Sequence, residues 1–487
     1  MSSSVALQLL ETRTALNIVW TVLCGALVMF MQAGFAMVET GFVRRKNVAH
    51  TMAMNFLVYS IGALAYWFFG FGLQMGGTPV HSTLGELRGL GHELSVHFGG
   101  RDFGLWGQAG FCLPTELFTP GTAALFMYQL MFMNTALIIP TGALVERWKF
   151  WAFALFSALI GSVVYPLFGN WVWGGGFLAS LGTNFGLGHG HVDFAGSSVV
   201  HMTGGVLSYV GATLLGPRIG KFASNGKARP IPAHNVPMIV LGTFILAFGW
   251  FGFNAGSTMA GTDTRLAVIA VNTLLASAAG AVMGSLYSAH RFGKPDVTMM
   301  CNGMLAGLAA ITASCAFVSS WAAVLIGAIS GVLVVEAALF IEQRLQLDDP
   351  VGAISVHGVC GAFGALATGI FPNGTYGDGL NGVPGPVRGL LYGDAGQLMA
   401  AILGIATNVL WVGGAGYVAY RFVDALIGQR AYFADELRGL DVSELGMDGY
   451  FDDDNVPRPS APPKPEQPDP GFMSGHTSTW HSRLYPD

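Results

Sequence analysis

Residues 193–216, DFAGSSVVHMTGGVLSYVGATLLG, form a stretch of small and apolar residues with one histidine, His201, about two turns from its start. The length of the stretch predicts a helix that crosses a bilayer. An ionisable side chain costs free energy in hydrocarbon, so its presence there indicates a functional residue. Residues 348–371, DDPVGAISVHGVCGAFGALATGIF, place a second histidine, His357, in the same setting.

The two segments share one spacing. Asp193 precedes His201 by eight positions, and Asp349 precedes His357 by eight, while a glycine follows each histidine by four. This pattern predicts two copies of a five-span unit, and an odd number of spans per copy puts the copies in opposite orientations. Inverted repeats are common in transporters, with the binding site near the midplane between the halves. We therefore expect the two histidines to meet near a pseudo-twofold axis.

The composition indicates the same class of protein. Of the 487 residues, 52% are hydrophobic and only 10% are charged, against roughly 25% charged residues in a soluble domain. The apolar runs are continuous rather than alternating, which indicates an all-α polytopic membrane protein and not a barrel. The sequence predicts eleven spans, the eleventh outside the repeat: 15–39, 49–75, 121–143, 149–168, 195–216, 236–256, 265–289, 295–316, 319–341, 352–371 and 391–424.

The basic residues predict the orientation. Loops after odd-numbered spans hold twelve Lys and Arg, against five in the other loops and the N-terminus. The positive-inside rule then places the N-terminus outside the cell membrane and the C-terminus in the cytoplasm. We expect one membrane domain, 1–424, that includes a long external loop, 76–120. A cytoplasmic segment, 425–452, and a disordered Pro-rich tail, 453–487, follow it.

Three explanations fit a pair of buried histidines: packing, haem ligation and transport. Matched positions in two repeats argue against packing alone. A bis-histidine haem is disfavoured because membrane haem proteins often bind several haems, and this chain has no further histidine in the middle of a span. We expect no cofactor and no metal. A neutral imidazole pair suits a small polar solute better than a hydrated metal ion, since its nitrogens both donate and accept hydrogen bonds.

Aromatic side chains predict a second feature on the external side. The candidates are Tyr128 with Phe132 on one helix face, Trp250 with Phe253 and Ser257 on another, and Trp173 at the outer end of span 4 or just beyond. Together they predict an aromatic cup with a hydroxyl group. Such a cup attracts a small cation through the ring quadrupoles, a known way to recognise ammonium-type groups.

Five stretches, DFAGSSVVH, FGWFGFNAGS, VWGGG, GALVERWKF and DDPVGAISVHGVCG, together resemble the ammonium transporters, the Amt/Mep/Rh family, on its Amt side. The resemblance covers about residues 15–450. It implies eleven helices, a homotrimer with one pore in each subunit, and transport of ammonium rather than enzymatic activity. It implies that Phe132, Trp173 and Ser257 recruit ammonium and that Phe132 and Phe253 form a phenyl gate. It implies that His201 and His357 are the twin histidines of the pore. It also implies structural and deprotonation support from Asp193 and a pore-side position for Trp250.

The chain departs from the family pattern in four places, one of which is the long loop 76–120. Ser197 follows Gly196 where a second glycine is usual, and NFGLGHGHV lengthens the stretch between Trp173 and Asp193. In the tail, GLDVSELGMDGY resembles the family's regulatory segment, with Leu445 where histidine is usual. The resemblance implies a PII-type signal protein as a cytoplasmic partner, and we expect no nucleic-acid partner. Two alternatives stay open: an ammonium sensor on the same fold, and an Rh-type channel for neutral gas.

Overall fold

The computed structural model describes residues 3–450 of the chain. Within them, nine helices are long and apolar enough to cross a membrane, and two shorter apolar helices complete the set of eleven. In chain order, spans 1 to 11 are Ser4–Phe42, Arg45–Met75, Pro120–Leu144, Phe150–Gly174, Ser197–Leu215, Val236–Thr258, Arg265–Phe292, Val297–Ile311, Ser320–Gln343, Ile354–Ile370 and Ala395–Ile427. The predicted all-α membrane fold with eleven spans is confirmed.

The ends of some spans differ from the prediction. Span 1 begins at Ser4 rather than at residue 15, so it is about three turns longer. Span 8 ends at Ile311 rather than at residue 316. The backbone N–H of Ala313 donates to Ser197 Oγ over 2.7 Å, and its carbonyl accepts from Phe194 N over 3.1 Å. Span 8 therefore stops early because Ala313 binds the first residue of span 5 and the loop before it.

Residues 76–119 contain two antiparallel hairpins, which the sequence analysis did not predict. Strand β1 (His81–Ser82) pairs with β2 (Gly85–Glu86), and β3 (Glu93–Phe98) pairs with β4 (Arg101–Gly107). Gly99 and Gly100 form the tight turn of the second hairpin, and both have positive φ, which favours glycine. The carbonyl of Gly104 accepts from Phe177 N over 3.0 Å. The second hairpin is thus attached to the chain just beyond span 4.

The two ends of the bundle carry different segments. Because eleven is an odd number, the chain enters at one face and leaves at the other. The N-terminal face holds residues 76–119, and Asn17 near the chain start donates from Nδ2 to Thr83 O there over 2.8 Å. The C-terminal face holds residues 425–450, which include the short helices Phe433–Arg438 and Leu440–Leu445. The predicted disordered tail, 453–487, lies outside the described residues.

Spans 5 and 10 cross where each has a glycine. A methyl group on Gly205 would lie 2.1 Å from the backbone nitrogen of Gly358. A methyl group on Gly361 would lie 2.9 Å from the backbone nitrogen of Met202. In each case the glycine four residues after one histidine meets the residue just after the other. This reciprocal contact is what a pseudo-twofold axis between the spans produces, and it brings the two histidines together.

Candidate functional site

His201 and His357 meet inside the bundle. Their Nδ1 atoms are 3.2 Å apart, and their ring planes are inclined by 22°. Both side chains are buried. A hydrogen bond between two Nδ1 atoms requires one ring to donate and the other to accept. The ring that donates from Nδ1 then has an acceptor at Nε2, and the ring that accepts at Nδ1 has a donor at Nε2. Exchange of tautomers interchanges the two roles.

Each histidine lies in a widened first turn of its span. The π-helical segments are Ser197–Met202 and Ile354–Val359. Each is capped by the aspartate found in the sequence repeat, because the first N–H groups of a helix need acceptors. The Asp193 carboxylate accepts from the backbone N–H groups of Gly196, Ser197, Ser198 and Val199 and from Ser198 Oγ. The Asp349 carboxylate accepts from the N–H groups of Ala353 and Ile354.

Aromatic rings cover the pair on the side of the N-terminal face. Trp250 is stacked on the His201 ring, with centroids 5.0 Å apart, and donates from Nε1 to Thr312 Oγ1 over 2.9 Å. Phe253 also stacks near His201, at 5.4 Å. The next ring is Phe132, stacked on Phe253 at 4.1 Å with planes inclined by 20°. Both phenyl rings are buried, so they leave no space for a hydrated cation beside the pair.

A cavity of about 250 Å³ opens above these rings on the N-terminal face. Phe132, Trp173 and Ser257 line it together, as does the outer residue Tyr128. The indole of Trp173 meets the Phe132 ring edge to face at 5.9 Å. The hydroxyl of Ser257 donates to Phe253 O over 2.8 Å, so its oxygen keeps a lone pair for a ligand. A small cation in this cavity meets ring faces and a hydroxyl oxygen.

Asp193 connects the cavity to the pore helix. Its main-chain carbonyl accepts a hydrogen bond of 2.7 Å from Trp173 Nε1. Both of its carboxylate oxygens are occupied by the start of span 5, and the side chain is 3% exposed. The structure therefore brings the eight predicted site residues together, and Asp193 also lines the cavity while both of its carboxylate oxygens are bonded to the start of span 5.

Glu39 is a residue that the sequence analysis missed. A second, smaller cavity of about 20 Å³ lies beyond the pair, and its walls include Phe35, Glu39, Asn302 and His357. The Glu39 side chain is 2% exposed. The sequence does indicate a buried carboxylate here, since AMVETGF places Glu39 within the apolar run of span 1. Its position near the end of that run is, however, also typical of an ordinary charge at a helix end.

A buried charge network on the C-terminal face was also not predicted. Arg218 donates to both oxygens of Asp348, over 2.8 and 3.0 Å, and to Glu146 Oε1 over 3.1 Å. Burial alone would raise the pKa of Asp348, but the Arg218 guanidinium holds that pKa well below its ordinary value. These three residues come from the loops after spans 3, 5 and 9. The network therefore fixes the three loops together below the pore.

Known proteins resemble this chain over most of its length. The sequence model of the Ammonium Transporter Family matches residues 19–450. The chain is 43% identical over 437 residues to the Ammonium transporter Amt2 of Archaeoglobus fulgidus, covering 89% of this chain and 88% of that protein. It is 34% identical to the Ammonium transporter Amt1 of Haloferax mediterranei, covering 89% and 79%.

Solved structures also resemble this chain over most of its length. A Sensor Amt Protein superimposes with a TM-score of 0.76 at 31% identity, covering 89% of this chain and 99% of that one. Candida albicans Mep2 superimposes with a TM-score of 0.70 at 26% identity, covering 86% and 87%. The fold of this chain is therefore shared with both over most of their length.

Proposed function

This chain belongs to the ammonium transporter family, so it is a multi-pass membrane protein that transports ammonium and not an enzyme, and we propose that ammonia and a proton pass its histidine pair separately. The observation that carries the proposal is the continuous row of side chains from the cavity through the phenyl rings to His201 and His357. The steps follow from what each part of that row can bind.

The first step is recruitment of the ammonium cation in the 250 Å³ cavity. The ring faces of Trp173 and Phe132 and the oxygen of Ser257 replace part of its hydration shell. Cation–π attraction contributes on the order of 1–2 kcal/mol when the cation is partly desolvated. The cavity is only partly closed, so the remaining N–H groups of the cation keep water as a partner.

The second step is loss of the proton before the phenyl rings. A cation that enters the dry space between Phe132 and Phe253 loses its remaining water at a large cost, whereas ammonia is neutral. One N–H bond of ammonium breaks at the cavity, where a water molecule takes the proton, and ammonia passes the rings. The imidazole pair supplies hydrogen bonds to the ammonia. The separated proton crosses by exchange of the His201 and His357 tautomers.

We also propose the orientation and the partners. The N-terminal face, which holds the cavity, lies outside the cell membrane, because the loops of the C-terminal face carry most of the basic residues. The chain assembles as a homotrimer with one pore in each subunit. A PII-type signal protein is the proposed partner of residues 425–452 on the cytoplasmic side.

A sensor function is the second candidate, favoured by the likeness to the Sensor Amt Protein. Purified protein in proteoliposomes on a solid-supported membrane separates the possibilities. A jump in ammonium concentration should give a transient current, and the vesicles should take up methylammonium. Uptake without current would indicate a channel for neutral gas. The absence of both would indicate a sensor and would contradict the proposal.

A further inference from the structure

The proposed path does not use Glu39, although this residue lies on it. His357 is in contact with Phe35 of span 1, with ring centroids 6.0 Å apart. Glu39 follows Phe35 by four residues, so it lies on the same helix face, one turn closer to the C-terminal face. Both residues line the 20 Å³ cavity together with His357. A permeant that leaves the histidine pair therefore arrives beside this carboxyl group.

The cavity is matched in size to the permeant. A water molecule needs roughly 10–15 Å³ of such space, so about 20 Å³ accommodates one molecule of the size of water or ammonia. Glu39, Asn302 and His357 contribute polar groups to its walls, while its other walls are apolar. A single ammonia molecule in this space has the imidazole on one side and the carboxyl group on the other.

The carboxyl group of Glu39 is held by neutral donors. Thr141 Oγ1 donates to it over 2.7 Å, and Asn55 Nδ2 donates over 2.8 Å. Among the residues that the structure describes, none forms an ion pair with Glu39. A buried carboxylate without a cation next to it is costly, so the group favours either a bound proton or a cation beside it.

We propose that Glu39 is the proton donor that converts ammonia back to ammonium after the histidine pair. The O–H bond of the carboxylic acid breaks, the proton forms a fourth N–H bond on ammonia, and a carboxylate remains beside the new ammonium ion. Departure of the cation toward the C-terminal face leaves the carboxylate to take the proton that the histidines deliver. This inference rests on the proposed function, because it requires ammonia to arrive neutral.

Proton transfer between Glu39 and ammonia also explains why a carboxyl group suits this position. Ammonium leaves the dry part of the path as a cation, and a neutral wall would oppose its formation there. Glu39 and the permeant exchange one proton, so the total charge of the cavity does not change during the step. Potassium has no proton to give or receive, so it gains nothing from this exchange.

Replacement of Glu39 by glutamine tests the proposal, because Glu39→Gln keeps the shape and removes the acid. The fold should tolerate it, since the new amide oxygen can accept from Asn55 Nδ2 and the new amide N–H can donate to Thr141 Oγ1, whose own proton has Ile138 O as an acceptor. The matched control is Glu336→Gln in span 9, whose side chain is 44% exposed and bonded to Arg291 away from the path. Thermal unfolding of both variants should match the wild type.

The readout is ammonium-driven current in proteoliposomes, with the pH of the lumen and the bath varied independently. We expect Glu39→Gln to lower the current at least tenfold and to remove its dependence on the pH at the C-terminal face. Glu39→Asp should restore part of the current and part of its pH dependence. The ammonium concentration that gives half-saturation should be the same in both variants as in the wild type. Wild-type current in Glu39→Gln, or a lowered current with an unchanged pH profile, would overturn the inference.

His357→Ala in the same preparation distinguishes failure of the inference about Glu39 from failure of the proposed function. If His357→Ala loses the current and Glu39→Gln keeps it, the inference fails and the proposed function stands. If His357→Ala itself keeps full current, the proposed function fails and the role of Glu39 fails with it.

Discussion

At the residue scale, Asp193 links two parts of the site through different atoms. Its carboxylate satisfies four backbone N–H groups at the start of span 5, which fixes the direction of the His201 side chain. Its carbonyl holds the indole of Trp173 at the edge of the cavity. The cavity and the histidine pair therefore share one anchor.

Trp173→Leu should weaken recruitment and leave the fold intact. The variant removes a ring face worth on the order of 1–2 kcal/mol to the cation, which corresponds to about a 5- to 30-fold rise in half-saturation. The measurement is ammonium-driven current against ammonium concentration. Trp106→Leu is the control, because that side chain lies on β4 and is 38% exposed. Unchanged half-saturation in Trp173→Leu would rule out its assignment to the cavity.

At the element scale, the crossing of spans 5 and 10 sets the geometry of the pair. Gly205 and Gly361 let the two backbones touch, so the histidines one turn away reach each other. Gly364 continues this close packing, since a methyl group there would lie 2.4 Å from Ala310 O in span 8. Small residues thus allow span 10 to pack closely against both span 5 and span 8.

Gly205→Ala should separate the spans and disturb the pair. The added methyl group would lie 2.1 Å from a backbone nitrogen, which cannot move aside as a flexible side chain can. We expect lower thermal stability and loss of most transport activity, measured on purified protein. Gly414→Ala in span 11 is the control, because nothing lies within 4 Å of its new methyl group. Equal behaviour of the two variants would mean that spans 5 and 10 do not pack as described.

The hairpin of β3 and β4 contains a carboxyl group with an unusual environment. Glu93 accepts from Asn170 Nδ2 over 3.0 Å, while its Oε1 is buried without a hydrogen-bond partner among the described residues. Burial raises the pKa of Glu93 from 4.5 to about 7, partly offset by the Asn170 hydrogen bond. Between these pH values the folded protein holds a proton that the unfolded chain lacks, so stability falls as pH rises through that window.

Glu93→Gln should therefore remove part of the pH dependence of stability. The variant should unfold at a higher temperature than the wild type at pH 8, and the difference should shrink as pH falls toward 4.5. Thermal unfolding of the purified protein across this range checks the claim. Glu86→Gln is the control, since that side chain is 47% exposed and pairs with Arg88. Parallel pH curves for the wild type and Glu93→Gln would contradict it.

At the scale of the whole molecule, the C-terminal segment is bound to the first half of the bundle, spans 1–5. Glu436 accepts from Ile219 N after span 5 over 2.6 Å. Asp441 accepts from His50 N in span 2 over 2.8 Å, and Glu444 accepts from Phe150 N in span 4 over 3.0 Å. A change in this segment can therefore reach three spans through single hydrogen bonds.

Removal of residues 430–487 should alter transport or its regulation, because it deletes these three carboxylates. Removal of residues 453–487 should leave transport unchanged, since that stretch is rich in proline and poor in apolar residues. The measurement is methylammonium uptake in cells without their own transporters. Identical uptake by both truncated proteins would contradict a role for residues 430–452.

Much of the fold could be predicted from the sequence, for identifiable reasons. Each span is a continuous apolar run, and the shared Asp-to-His spacing placed His201 and His357 together before any distance was known. The hairpin was missed although Leu94, Val96 and Phe98 alternate before a Gly-Gly turn, a usual hairpin signal. The place of Glu39 beside His357 could not be predicted, because a sequence does not give the rotation of span 1 against span 10.

If ammonia and the proton both pass through the histidine pair, removal of both imidazoles must change transport. The double variant His201→Ala with His357→Ala is reconstituted, and its ammonium-driven current and its selectivity over potassium are compared with the wild type. We expect loss of the coupled current in a protein that still assembles normally. Full current with unchanged selectivity over potassium would show that the two histidines are packing residues and would contradict the mechanism.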